Sequence, residues 1–198
     1  MTQHHERLEE LATLFEQAEK QVKKAEDVNG NIIVPSINEL RYFGYHIIKA
    51  LLAEDDQATL VKEIEKAEGH AKRAIYDASE ALIIFYLEKA ELFQQRHSNN
   101  ASTIDVLPDY VECLEQLESI NESIGRIRRD GSAYKNRDQY YEQTLPFIEQ
   151  LSKIIFKFDK ANPIIIKKER EKTTGFILKV MTLIATVFGA IAAIVALS

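Results

Sequence analysis

The sequence predicts an all-α protein: an antiparallel bundle of four or five helices followed by a single C-terminal transmembrane helix. Three observations carry that expectation. Apolar residues recur at three- and four-residue spacing almost throughout, and no period-two alternation competes. Stop signals such as Asn29-Gly30 and Asn162-Pro163 divide that pattern into helix-sized pieces. Residues 180–197 then form a run of 18 without a charge. That run is about 27 Å long as a helix and about 33 Å with Phe176, Ile177 and Leu178 added, against ~30 Å of hydrocarbon.

The first helix is expected over about residues 6–27, with Leu8, Leu11, Phe15, Ala18, Val22 and Ala25 on one face. Asn29-Gly30 stops it, and Ile32, Ile33, Val34 and Pro35 cross to the next element in extended form. Ser36 is the expected cap of the second helix, with Glu39 completing a capping box and Ile37, Leu40, Gly44, Ile47 and Leu51 as its stripe. A third helix, about residues 57–96, follows Asp55-Asp56, with Gly69 as a place where it could bend. Its stripe includes Ala67, Ala71, Ala74 and Ala78, small enough for a neighbouring helix to approach closely.

Residues 98–103 read as a polar loop, and Pro108 or Asp109 opens a fourth helix carrying Val111, Leu114, Leu117, Ile120, Ile124 and Ile127. Its end, Arg126, Arg128, Arg129, Asp130 and Gly131, matches the negative pole of a helix more readily than an anion-binding patch. A fifth helix spans about residues 134–159, kinked or restarted at Pro146 and broken by Asn162-Pro163. The resulting division is a helical bundle over 1–162, a basic juxtamembrane stalk over 163–174 and an anchor over 175–198.

Charge sets orientation and excludes partners. The chain carries net −6, but from Pro163 onward the balance is +3, leaving −9 before it. An acidic domain on a basic stalk argues against nucleic acid as a partner. Lys167, Lys168, Arg170 and Lys172 instead suit anionic lipid headgroups, with Lys179 at the rim of the span. By the positive-inside rule the side they crowd, and the domain before it, is expected to be cytoplasmic, and the chain is expected to be a single-pass, tail-anchored membrane protein. One cysteine, Cys113, precludes an internal disulfide and suits a reducing compartment. No phosphate-binding loop, dinucleotide fingerprint, paired-cysteine metal pattern or nucleophile elbow occurs, so no cofactor and no metal are expected.

Two constellations remain. His70, Arg73, Asp77 and Glu80 line one side of the third helix, and Glu39, Tyr42 and His46 line the second at similar spacing. If these helices form a hairpin, the lines meet as a polar seam, a small ligand site or an acid–base centre. In the anchor, Ala185, Gly189 and Ala193 are four apart, a pattern that lets spanning helices pack closely. Lys179, Thr182 and Thr186 fall on nearly the same face.

The expected function is non-enzymatic: binding of an unknown protein partner or ligand by the cytoplasmic bundle, with homo-oligomerisation at the membrane. Two alternatives stand beside it. One is a membrane-permeabilising effector whose anchors cluster, and the other is a membrane-tethered sensor or enzyme built on His46, His70, Arg73 and Asp77.

Overall fold

The computed structural model describes residues 2–53, 55–98, 100–129 and 137–197. Six helices make up the described residues, and no strand occurs among them: α1 Thr2–Asn29, α2 Val34–Leu52, α3 Gln57–His97, α4 Ala101–Val106, α5 Tyr110–Arg129 and α6 Arg137–Leu197. The all-α prediction is borne out. The expected α5 ending at Asp130-Gly131 and the start of the next helix at Tyr134 lie outside the described residues.

Local chemistry explains most boundaries. Gly30 takes φ +67°, which ends α1, and its N–H donates to the Glu26 carbonyl at 2.8 Å. Asp56 caps α3 by accepting from the Ala58 and Thr59 backbone N–H groups at 3.1 and 3.2 Å. Ser36 does not cap α2. The helix begins three residues earlier, with Ile33 at the cap position and Pro35 in its first turn, where a fixed φ and a missing N–H are tolerated. Ser36 is therefore fully buried inside the helix and Glu39 is released from the expected box.

Consecutive long helices alternate in direction around α3. Arg7 lies near Glu65 and Gln21 bonds Ser79, so α1 runs parallel to α3. Tyr76 meets Tyr140 and Phe93 stacks on Phe158, so α6 also runs parallel to it. Glu39 meets Arg73 while His46 meets Glu63, which makes α2 antiparallel, and α5 is antiparallel through Arg128–Glu80 and Phe93–Tyr110. The result is two three-helix groups sharing α3, one made with α1 and α2 along its first half and one with α5 and α6 along its second.

The alanine stripe behaves as expected, since Ala67, Ala71, Ala74 and Ala78 are all fully buried. The α2 stripe is rotated. Phe43 and Ala50 face the core where Gly44 and Leu51 were expected, and Ile37 and Leu51 are exposed. Apolar residues occur on both sides of this helix, so spacing alone could not choose between them.

Two further expectations are corrected. The polar loop contains a helix, α4, capped by Asn100, whose side chain accepts from the Ser102 N–H. Ser102 and Thr103 are buried there, and Thr103 Oγ1 donates to the His97 carbonyl at 2.9 Å. The fifth helix, the stalk and the apolar run are one helix, α6, continuous through Pro146 and Pro163. Each proline removes one N–H from the ladder. The lost bond is outweighed by fixed neighbours: Thr144 and Ile148 are buried around Pro146, Phe158 and Ile165 around Pro163. Asn162 Oδ1 is also hydrogen-bonded to His97 Nε2 at 2.7 Å.

Candidate functional site

Glu39 and His46 are seven residues apart on α2, and Glu63 and His70 are seven apart on α3. Seven residues are nearly two turns, so each pair shares one helix face. Because the helices are antiparallel, the pairs interlock crosswise. His46 Nδ1 lies 2.5 Å from Glu63 Oε2, and His70 Nδ1 lies 2.7 Å from Glu39 Oε2. The two imidazoles stack between them, 5.1 Å apart and 13° from parallel.

Aromatic rings and cations extend this stack along the surface. Tyr42 lies 5.3 Å from His70 and Tyr45 5.3 Å from His46. Arg41 sits 5.2 Å from the Tyr42 ring centre and Lys49 5.0 Å from that of Tyr45. The row therefore reads Arg41, Tyr42, His70, His46, Tyr45, Lys49, with the carboxylates of Glu39 and Glu63 along its flank.

The electrostatics follow from these contacts. Glu63 is held down at about 2 by hydrogen bonds from Lys66 and His46. Burial pushes the Glu39 carboxyl up, but hydrogen bonds from His70 and Arg73 outweigh it and leave it lowered. His70 is lowered chiefly by burial, with the Arg73 and His46 charges adding to the effect and Glu39 opposing it. Arg73 Nε donates to Glu39 at 2.6 Å, and Arg73 Nη2 lies 2.6 Å from the same His70 nitrogen that faces Glu39. One Nδ1 cannot serve both. Protonated, it donates to Glu39 and repels the guanidinium; bare, it accepts from Arg73 and faces the carboxylate.

Four of the six residues expected in the soluble site, Glu39, His46, His70 and Arg73, are thus brought together. Asp77 lies one turn further along α3 and is half-buried. Glu80 belongs elsewhere: its Oε2 accepts from Arg128 Nη2 at 2.6 Å, tying α3 to the end of α5. Sequence reasoning missed Glu63, Arg41, Lys49, Lys66 and Tyr45, while Tyr42, expected in the polar line of α2, is exposed beside His70. The repeated seven-residue spacing of Glu and His on two adjacent helices was the available signal. Among the described residues no group of three or more His, Cys, Asp or Glu is arranged to hold a metal ion. Cys113 is buried and its thiol is pushed up by burial, so its surroundings do not activate it.

The second constellation lies on α6. Lys168 Nζ is 2.9 Å from Asp105, and Lys172 bonds Ser102 Oγ at 2.9 Å and lies 3.6 Å from Asp105. Lys167 and Arg170 are oriented differently: Arg170 is exposed and Lys167 lies only near Glu171, at 4.0 Å. Lys179, Ala185 and Gly189 are exposed, and a Cβ on Gly189 would touch nothing within 4 Å. Thr182 and Thr186 donate to the carbonyls of Leu178 and Thr182, each at 2.8 Å, so both hydroxyls are satisfied within the helix. Ala193 belongs to α6, with its side chain outside the described residues.

α6 contains the one helix segment among the described residues long and apolar enough to cross a membrane, with mean hydropathy 1.3 over 18 residues and none of them buried. Comparison with known proteins adds no relative: no family model, curated protein or solved structure matches the chain.

Proposed function

We propose that this chain is a membrane-tethered, non-enzymatic helical bundle. In this reading the apolar end of α6 crosses the bilayer and the preceding helices stand in the cytoplasm. The protein acts by binding a protein partner or ligand through the bundle and by self-association at the membrane. The observation that carries the reading is the exposure of α6 on all sides beyond the bundle. Phe176 is 67% exposed, Leu178 60%, Met181 63% and Phe188 68%, at positions that point in different directions around the axis. A helix apolar on every side needs an apolar solvent, and no other part of the described chain covers it.

Lys167, Lys168, Arg170, Lys172 and Lys179 on the bundle side of the span support the cytoplasmic orientation, and Lys167, Arg170 and Lys179, which Asp105 does not engage, support contact with anionic headgroups. The continuity of α6 supports mechanical coupling. The side chains of Tyr140, Ile148 and Phe158 are core residues of the bundle, and the same helix enters the proposed span. The row of rings between Arg41 and Lys49 is the surface of the soluble part best suited to a ligand, because it presents flat faces, imidazole protons and two cations together.

Alkaline carbonate extraction of membranes from expressing cells tests the tether. The full chain is expected in the pellet, and the double variant Ile184→Asp, Val187→Asp in the supernatant. Recovery of the full chain in the supernatant would refute the span. Dye release from anionic vesicles tests mode of action: retention of dye fits a tether, whereas release that requires the span would transfer the function to the permeabilising effector.

A further inference from the structure

The outward face of α2 is apolar and, among the described residues, has no cover. Ile37, Tyr45, Ile48, Leu51 and Leu52 are all exposed on one short helix, a larger patch than scattered surface residues explain. Its only exposed charges are Arg41 and Lys49, because Glu39 is turned inward to Arg73 and His70. We infer that this face docks onto the acidic first half of α1 in a second copy of the chain, generating a head-to-tail assembly in which each copy uses both surfaces. The inference rests on the proposed membrane tether, which would hold all copies in one orientation.

The argument for that occupant is register and charge. α1 pairs with α3 at a constant offset of 58 residues, Arg7 with Glu65 and Gln21 with Ser79. α2 pairs with α3 through Glu39–His70 and His46–Glu63, one antiparallel register. Together these place Arg41 level with Glu68 and therefore with Glu10, and Tyr45 level with Ile64 and therefore with Glu6. Copies standing side by side in one bilayer present these residues at matching heights. The part of α1 that lies level with α2 exposes Glu6, Glu10 and Glu16, and its Arg7 is turned to Glu65. Lys20, Lys23 and Lys24 lie above the level of α2. A basic, apolar face thus stands level with an acidic one.

Other occupants fit less well. Counted along α3 and α6, Lys49 stands about 75 Å from Phe176 at ~1.5 Å per residue, out of reach of the bilayer. A symmetric pair of α2 helices about an axis normal to the membrane would set Arg41 against Arg41 and Lys49 against Lys49.

Disulfide cross-linking of the full chain in native membranes tests the inference, with unsubstituted chain as baseline because Cys113 is buried. Co-expressed Arg41→Cys and Glu10→Cys copies should cross-link to each other at least tenfold more than either alone. Charge reversal adds a second readout through lysine-reactive cross-linking. Arg41→Glu should reduce oligomer yield severalfold, and adding Glu10→Arg should restore it. Cross-linking of Arg41→Cys copies to one another, or no cross-linking while the chain stays in the carbonate-resistant pellet, would overturn the head-to-tail surface and leave the tether intact. Cross-linking of the mixed copies in a carbonate-soluble chain would uphold the surface and overturn the tether.

Discussion

The two ends of α6 are one helix and two kinds of surface. Over the first, Tyr140, Thr144, Ile148, Leu151, Ile155 and Phe158 are buried on one side, while Gln143, Glu149, Lys153 and Lys160 face outward. Over the second, from Phe176 to Ile191, large apolar residues are exposed in every direction, with Lys179 at the near end and the Thr182 and Thr186 hydroxyls closed onto the helix's own carbonyls. The first end is half-sided because its cover is protein on one side and water on the other. The second is apolar all round and, among the described residues, uncovered, which is the surface the proposed bilayer would cover. Both ends are α-helical, so the difference in what they can be covered by lies in side-chain chemistry.

The largest effects should come from placing a charge at each end. Ile148→Asp puts a carboxylate into a site 1% exposed and should cost more than about 4 kcal/mol, abolishing the thermal transition of the bundle. Ile184→Asp should leave that transition unchanged while opposing membrane insertion by about 3 kcal/mol. If Ile184→Asp instead lowers bundle stability as much as Ile148→Asp, the two ends are not separate surfaces and the comparison fails.

Next in size is Phe158→Ala, which removes a ring stacked 4.1 Å from Phe93 beside the fully buried His97. A loss of about 3–5 kcal/mol is expected in chemical denaturation, with membrane partition unchanged.

A smaller effect is expected in the α2–α3 seam. Arg73→Ala leaves Glu39 and His70 facing each other without the guanidinium and should cost about 1–2 kcal/mol. The seam also has a pH signature. His70 is lowered in the fold, so its contribution is present above its unfolded value of about 6.5 and is lost as pH falls through that region. Glu39 and Glu63 are lowered too, and their contributions persist until pH drops below about 4.5. Melting temperature should therefore fall between about pH 7 and 5.5, and His70→Gln should flatten that decline. A flat profile in the unsubstituted protein would show that protonation of His70 is not coupled to the α2–α3 contact.

The smallest expected effect is Gly69→Ala. Replacing glycine inside a helix gains about 1 kcal/mol, but the added Cβ would lie 3.3 Å from Arg73 Nη1. The guanidinium must shift by a few tenths of an ångström, so the net change should be under about 0.5 kcal/mol. A loss well above that would mean that Arg73 is held more rigidly than its partial exposure suggests.

Much of this protein was determined by its sequence. The helical class, the α3 stripe, the α1 stripe from Leu11 to Ala25 though not the exposed Leu8, the stop at Gly30 and the apolar run follow from spacing and composition, which act over a turn or two and need no partner. Tertiary structure alone decided the rest. Which side of α2 turns inward depended on α3, since both sides are apolar enough to be buried. Whether Pro146 and Pro163 broke a helix depended on the packing of Thr144, Ile148, Phe158 and Ile165, because one lost hydrogen bond is outweighed by several buried side chains. The His46–Glu63 and His70–Glu39 pairs required the antiparallel register of two helices. The seven-residue spacing that makes them possible was visible in each helix, but interlocking is a property of the pair, and long-range pairing is what local periodicity does not encode.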